Sequence, residues 1–212
     1  MDAVGSLTIR PYRPSDRWAV REICCETADK GRPVERFFRD RELFADLVTR
    51  YYTDLDPRAV WVAEINGRAR GYLTGCLDTR RYWRAMLLRI APAALLGALA
   101  HGTFLQAETR RLFRKGLRTL LRGGFRRPVD LARYPAHLHI NLAEELRGRH
   151  AGQLLMEKFL EQCRAEGVTG VHLISRADNH DAHGFFERIG FTRLGGDAET
   201  PEGSRIYGRP LP

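Results

Sequence analysis

Two patterns of hydrophobic and polar positions alternate along the last third of the chain. Residues 137–142 and 171–176 are short, largely apolar stretches typical of strands, and apolar and polar side chains alternate in the first. Residues 151–166 and 181–189 space their apolar positions three and four apart, which predicts two helices. A strand–helix–strand–helix order indicates parallel pairing of the two strands, with helices covering the sheet.

Shorter signals mark elements in the rest of the chain. The Asn66-Gly67 pair lies between two apolar stretches and predicts a hairpin, because both turn positions tolerate positive φ. Strands are expected at residues 7–10, 59–64, 69–77 and about 205–207, and helices at about residues 15–27 and 35–52. The predicted fold class is therefore α/β (α+β), with one mixed central sheet flanked by helices in a single domain over residues 1–212.

The segment between the third and fourth predicted strands does not fit this alternation. Residues 80–127 are rich in Leu, Ala and Arg and predict helices in two or three pieces, interrupted at Pro92 and at Gly123-Gly124. We therefore expect a helical insert at about residues 80–135. Its most apolar part, residues 90–100, is too short to cross a bilayer, so no transmembrane segment is expected.

Positive charge is concentrated in this insert. Residues 80–127 hold 12 basic residues and the single acid Glu108, a balance of +11, whereas the whole chain has a formal net charge of +9. Such a field attracts acidic small molecules, nucleic acid or an anionic membrane surface. A solvated helix face and a homodimer interface on the apolar side are the other interpretations of the same pattern.

The cysteines and the N-terminus bear on the cellular compartment. Cys24, Cys25, Cys76 and Cys163 lack zinc-finger spacing, and the adjacent pair suits neither a simple disulfide framework nor a metal site. Residues 1–6 lack the basic start and the apolar run of a secretory signal. We expect free buried thiols, no bound metal and a cytoplasmic protein.

The turn between the strand at residues 137–142 and the following helix carries the first candidate chemistry. It contains Gly148 and Gly152 among basic residues, directly where the helix begins. A strand that leads into a glycine-containing turn at a helix N-terminus gathers backbone N–H groups at the positive end of the helix dipole. That arrangement suits a phosphate or a pyrophosphate.

Two segments resemble the GNAT superfamily of N-acetyltransferases. Residues 147–152 resemble its pyrophosphate loop, R/Q-x-x-G-x-G/A, and residues 179–191 resemble its N-x-x-A-x-x-F/L-Y-x-x-x-G-F segment. The matching positions in the second segment are Asn179, Ala182, Phe185, Gly190 and Phe191. The resemblance covers most of the chain and is nearest to bacterial members related to the acetyltransferase-like domain of O-GlcNAc hydrolases, through residues 134–140 and 170–173.

The resemblance implies an acetyl-CoA-dependent N-acetyltransferase that transfers acetyl directly from the thioester to an amine. The two strands would splay apart around the pantetheine arm, whose amides would pair with backbone groups near Asn141, Leu142 and Ala143. Asn179 would contact the cofactor, and Phe186 would line the thioester slot. The pyrophosphate loop would consist of Arg147, Gly148, Arg149, His150, Ala151 and Gly152.

Three positions depart from the family pattern. Phe186 stands where a tyrosine usually protonates the departing thiolate, so water would have to serve. His150 replaces the middle glycine of the loop, which is compatible with binding if its φ is negative. Asn141 stands where relatives often carry an acid, which leaves Glu145 and His139 as candidates for the base.

Two further functions are consistent with the sequence. The three departures also fit a catalytically weak or inactive CoA-binding or regulatory module of the same fold. The basic insert also fits an RNA-directed acetyltransferase, although its arginines alternate with leucines rather than with the aromatic residues of a base-stacking surface. The acceptor would be an amine on a small molecule or peptide whose identity the sequence does not reveal.

Overall fold

One mixed sheet organises the part of the chain that the structure describes. This computed structural model describes residues 6–121, 129–195 and 203–212, so the predicted break at Gly123-Gly124 lies outside the described residues. The strands are β1 (Leu7–Pro11), β2 (Val60–Ile65), β3 (Arg68–Cys76), β4 (Ala136–Leu142), β5 (Gly170–Arg176), β6 (Thr192–Leu194) and β7 (Ser204–Pro210). Their order is β1-β2-β3-β4-β5-β7-β6, and among the described strands only β4 and β5 pair in parallel. This arrangement confirms the predicted mixed sheet.

Helices cover both faces of this sheet. They are α1 (Arg17–Glu26), α2 (Arg41–Arg50), α3 (Thr79–Ala85), α4 (Ala91–Ala100), α5 (Ala107–Leu121), α6 (Ala151–Ala165) and α7 (His180–Arg188). π-Helical turns at Tyr51–Leu55 and Met86–Ile90 extend α2 and join α3 to α4. The predicted start of the second helix at residue 35 is wrong, because the Asp40 carboxylate accepts a hydrogen bond from the Leu43 N–H and caps α2 there.

The main core lies between α6 and the sheet. Leu155 and Phe159 of α6 are fully buried against Leu73 of β3 and Val171 of β5. A Cβ atom at Gly75 would lie 2.7 Å from the Ala59 carbonyl oxygen and against the Phe159 ring, so glycine is required for this close packing. Each such fully buried side chain contributes about 1.5–3 kcal/mol.

The opposite face of the sheet carries α1 and α2. Val20, Ile23 and Cys24 of α1 pack against Tyr72, the β3 residue next to Leu73. Successive residues of a strand point to opposite faces, so this single pair shows that β3 is covered on both sides. This agrees with the burial of the strand from Gly71 to Cys76.

The insert differs from its prediction. Helices α3 and α4 and the turn between them form one continuous helix over Thr79–Ala100, because Pro92 follows a π-helical turn and does not end the helix. The most apolar stretch, residues 90–100, is therefore the last part of a longer helix. This 22-residue helix is long and apolar enough to cross a bilayer by length and composition alone.

Candidate active site

The two parallel strands separate soon after they meet. β4 and β5 each have seven residues, but they pair only at Ala136 with Val171 and at His137 with His172. Beyond these two positions the strands diverge, as the family resemblance implies. A slot therefore opens between the C-terminal parts of β4 and β5, in the middle of the sheet.

Backbone groups of every second β4 residue face this slot. The Ala143 N–H donates to the Arg70 carbonyl at 2.9 Å, which marks a hydrogen-bonded pair with β3. Because hydrogen-bonded and non-hydrogen-bonded pairs alternate along antiparallel strands, His139 and Asn141 also direct their backbone groups to β3. Leu142, like Ile140 and Leu138 before it, then turns its N–H and carbonyl toward the slot.

The three predicted backbone partners of the pantetheine arm therefore differ in their orientation. Leu142 presents its backbone groups to the slot, whereas the Ala143 N–H is already bonded and its carbonyl accepts from the Leu146 N–H at 3.0 Å. Asn141 is held by its side chain, which donates to the Thr27 hydroxyl at 2.6 Å. Leu142 is thus the position of the three best placed to pair with an amide in the slot.

The loop before α6 keeps a glycine-like backbone at a histidine. His150 has a φ of +58° and precedes the first residue of α6, so the condition of a negative φ at this position is not met. A left-handed conformation costs a side-chain-bearing residue about 1–2 kcal/mol. The first bond of the helix joins the Leu154 N–H to the His150 carbonyl at 3.0 Å. The backbone N–H groups of Ala151, Gly152 and Gln153 therefore have no acceptor within the helix.

Positive charge surrounds these N–H groups. Arg147 and Arg149 flank Gly148, whose φ is +73°, and neither arginine forms an ion pair within the described parts of the chain. The Arg147 guanidinium lies against Gly31, in the loop that follows α1. The Arg147 guanidinium and the positive end of a 15-residue helix therefore lie beside the slot, and Arg149 precedes that helix by two residues.

Gly152 allows the start of α6 to approach its neighbours. A Cβ atom there would lie 3.3 Å from the Phe185 ring and 3.4 Å from a Leu142 methyl group. Both distances are tighter than ordinary packing, so glycine brings the helix N-terminus close to β4 and α7. The loop and the slot are in this way parts of one site.

The start of α7 lies on the β5 side of the slot. Asn179 is the N-cap residue of α7, yet its side chain makes no capping hydrogen bond. Phe186, two turns further on, is only 6% exposed and packs against Phe191 and Tyr207. Asn179 is therefore available to a ligand, while the Phe186 ring belongs mainly to the core.

His139 is the titratable side chain that lines the slot. Solvent reaches its ring, although β4 lies at the centre of the sheet. Desolvation by the surrounding protein, followed by repulsion from His172, lowers the pKa of His139 to about 4. Because solvent enters the slot, the desolvation is partial, but both causes act in the same direction. The imidazole is therefore neutral at neutral pH and able to accept a proton.

Next to it, His137 belongs to a hydrogen-bonded chain that the sequence did not reveal. The Thr79 hydroxyl donates to the Pro135 carbonyl at 2.6 Å, so it accepts from His137 Nδ1 at 2.7 Å. His137 Nε2 then accepts from the Tyr52 hydroxyl at 2.8 Å. This chain fixes the His137 tautomer, joins the insert to β4, and holds the Tyr52 ring 5.9 Å from that of His139.

The other candidate base lies elsewhere. Glu145 is exposed in the turn after β4 and forms an ion pair with Arg70 on the surface. The structure therefore separates the two candidates, since His139 lines the slot and Glu145 faces solvent.

A loop from α1 crosses the open end of the slot. Thr27 holds β4 through Asn141, and Lys30 pairs with Asp178 after β5 at 2.8 Å. Asp29 reaches Arg176 at 3.4 Å. These contacts join residues about 115 to 150 positions apart, which explains why no local pattern predicted them.

Two further observations concern other potential sites. Within the described residues no group of three His, Cys, Asp or Glu side chains could hold a metal ion, and all four cysteines are buried and free.

A separate groove lies between α6 and the C-terminal end of α7, lined among others by Leu160, Arg164 and Gly190. It is distinct from the slot and contains none of the predicted site residues.

Comparison with known proteins agrees with this geometry. The Acetyltransferase (GNAT) family model matches residues 124–191, which span the β4–α6–β5–α7 unit. The crystal structure of SsHAT is 32% identical, over 97% of this chain and 98% of that chain, with a TM-score of 0.77. The chain belongs to the GNAT acetyltransferase family.

More distant structures show the same fold. PaiA N-acetyltransferase from Thermoplasma acidophilum, solved with coenzyme A, is 12% identical over 97% of this chain and 99% of that chain, with a TM-score of 0.54. The protein yncA from Salmonella typhimurium, solved with acetyl-CoA, is 15% identical over 98% and 95%, with a TM-score of 0.57. Coenzyme A and its acetyl ester are thus ligands of other members of this GNAT fold.

Proposed function

We propose that this GNAT protein binds acetyl-CoA in the slot between β4 and β5 and transfers the acetyl group directly to an amine. The observation that carries the proposal is the splay of the two strands beside an uncapped helix N-terminus. The pyrophosphate would lie on the N–H groups of Ala151 and Gly152, between Arg147 and Arg149. The pantetheine arm would pair with the backbone of Leu142.

His139 is the base we assign to this reaction. A general base must be unprotonated and within reach of the proton that it removes. The His139 imidazole is neutral at neutral pH and lines the slot, whereas the Glu145 carboxylate is held by Arg70 at the surface. The acceptor amine would approach from the α1–α2 side of the sheet, where His137 and His139 point, and lose its proton to His139.

Departure of the thiolate needs no protein acid in this proposal. Phe186 carries no hydroxyl, and its ring is packed in the core. A thiol with a pKa of about 8.5 is a modest acid, so water that enters the slot can protonate the thiolate. The same feature supports the second candidate, a CoA-binding module with little activity, which would bind acetyl-CoA but release no thiol.

The subgroup of the family, the cellular location and the acceptor class are also proposals. We assign the chain to the bacterial subgroup related to the acetyltransferase-like domain of O-GlcNAc hydrolases, on residues 134–140 and 170–173. A cytoplasmic location fits four buried, reduced cysteines. The acceptor class, an amine of a small molecule or peptide, follows from the family chemistry alone.

Calorimetric titration with acetyl-CoA tests cofactor binding. Arg149→Glu should weaken binding by about tenfold or more, because it places a negative charge beside the pyrophosphate. Arg111→Glu on α5 is the matched control, since Arg111 likewise has no ion pair in the described chain, and it should leave binding within about twofold. Absence of heat at millimolar acetyl-CoA would overturn the proposal.

A further inference from the structure

We infer that the helices of the insert, which lie within residues 79–121, dock this enzyme on the surface of an anionic lipid bilayer. The inference rests on three features of the insert: basic side chains without acidic partners, leucines exposed to solvent, and anchorage of the opposite side of its long helix. It concerns a surface outside the β4–β5 slot and does not depend on the proposed chemistry.

The basic side chains of the insert are unpaired. Residues 79–121 contain nine basic residues and one acid, Glu108. None of the nine forms an ion pair within the described residues, and the acid itself reaches out to Arg39 of the body at 3.7 Å. In the body, by contrast, some arginines are neutralised: Arg10 contacts Asp16 and Glu64, and Arg21 contacts Glu42 and Asp46. A surface that keeps its positive charge uncompensated matches a surface of negative charge.

Leucines are exposed on the same insert. Leu96 and Leu99 on α4 are 67% and 52% exposed, and Leu88 in the preceding turn is 73% exposed. Only 17% of the most apolar 18-residue window of helix 79–100 is buried in the protein. An apolar helix side that no other element covers is costly in water and is typical of an interaction surface.

Helix α5 repeats this combination in amphipathic form. Arg111, Arg114 and Arg118 follow each other at intervals of three and four and share one side of the helix. On the other side Phe113 contacts Phe104, and Leu117, at the edge of that side, is 56% exposed, whereas Leu121, which is 76% exposed, lies beside Arg114. Exposed leucines next to a row of arginines are typical of helices that lie in the interface of a membrane.

The long helix is suited to lie on a bilayer rather than to cross it. Tyr82 and Ile90 pack with Tyr51 and Tyr52, and Ala94 and Ala98 are buried in the cluster of Phe38 and Leu43. Thr79 is bonded to both Pro135 and His137. Crossing a bilayer would break these contacts on one whole side of the helix. Docking leaves them intact and buries only the exposed leucines.

Charge and composition argue against other partners for this surface. A second copy would bring an equally basic insert against the first, and like charges repel. A nucleic acid offers phosphates to the arginines but no apolar layer for Leu96, Leu99 and Leu117. A bilayer with anionic headgroups offers both, since the phosphates lie next to the acyl chains.

Co-sedimentation of the full chain with large unilamellar vesicles tests the inference. We expect binding to an equimolar mixture of phosphatidylcholine and phosphatidylglycerol, little binding to phosphatidylcholine alone, and weaker binding as salt rises. The double variants L96Q/L99Q and R114Q/R118Q should each lower binding by about tenfold or more. Trp18→Gln, a change at a 68% exposed apolar side chain on α1, should have no effect.

Three results would overturn the inference: no binding to the anionic vesicles, unchanged binding of L96Q/L99Q, or binding of RNA alone in a salt-dependent gel shift. A dimer that L96Q/L99Q converts to monomer by light scattering, without vesicle binding, would assign the leucines to a second copy. Thermal denaturation establishes that each variant is folded. Acetyl-CoA titration of the same samples separates failure of docking from failure of the proposed function.

Discussion

The region around β4, α6 and β5 differs from the α1–α2 layer in how its polar groups are paired. Around β4, α6 and β5, backbone N–H and carbonyl groups are left without partners and side chains such as Leu155 and Phe159 form the core. In the α1–α2 layer, charged side chains such as Arg21 and Asp46 pair with each other. The first region, the cofactor half, would bind a ligand through its backbone in the proposed function, and the second, the acceptor half, covers the side from which the proposed acceptor would approach.

If His139 is the base on the acceptor side, the largest effect comes from removing its ring. His139→Ala should lower kcat/KM for an accepted amine by about 10²- to 10⁴-fold, the usual contribution of a general base. Glu145→Gln should change kcat/KM by less than about threefold, because its carboxylate is ion-paired at the surface. Thiol release measured over a panel of amines checks both, and the reverse ranking would assign the base to Glu145.

The pH dependence of kcat/KM tests the state of the same ring. With a pKa of about 4, His139 remains neutral well below pH 6. Protonation of this base should therefore cause no loss of kcat/KM from about pH 5.5 upward. A histidine with the ordinary pKa of about 6.5 would cost about tenfold at pH 5.5, since only the neutral ring accepts a proton. A limb near pH 6.5 that disappears in His139→Ala would show that solvent in the slot removes the shift.

Paired and unpaired charges should differ in their effect on stability. Asp46→Ala leaves the buried Arg21 guanidinium with a single carboxylate, and should lower the free energy of unfolding by about 2 kcal/mol. Arg114→Ala in the insert removes an unpaired, exposed charge and should stay within about 0.5 kcal/mol. Urea denaturation of both variants compares them directly. Equal losses would mean that the insert arginines have structural partners.

The smallest effect concerns the loop on the cofactor side. His150→Gly relieves the left-handed strain and should raise the free energy of unfolding by up to about 1 kcal/mol, after the entropy cost of glycine. That corresponds to about 2–4 °C in Tm for a chain of this size. His150→Ala keeps the strain and serves as the control in thermal denaturation. If both variants gain equally, relief of φ is not the cause.

Local patterns predicted the cofactor half well. The spacing of apolar residues indicated β4, α6, β5 and α7, and the glycine-containing turn indicated where α6 begins. These features succeed because each depends on residues near one another in the chain. His150 is the exception. Its positive φ is set by the requirement to close the turn, and not by the conformational preference of histidine.

The acceptor half could not be predicted in the same way. The Tyr52–His137–Thr79 chain and the Lys30–Asp178 pair join residues that are 58 to 148 positions apart. Pro92 suggested a break in the insert, but the π-helical turn before it lets the helix continue. Long-range contacts and a shift in helical hydrogen bonding leave no periodic signal in the sequence.

Amide hydrogen exchange with and without acetyl-CoA tests the central claim, that the β4–β5 slot holds the cofactor. We expect slower exchange in residues 138–142, where the Leu142 N–H faces the slot, and at Ala151, Gly152 and Gln153 at the start of α6. Residues 79–121 should be unchanged. Protection confined to the groove between α6 and the end of α7, or no protection at saturating cofactor, would contradict the account.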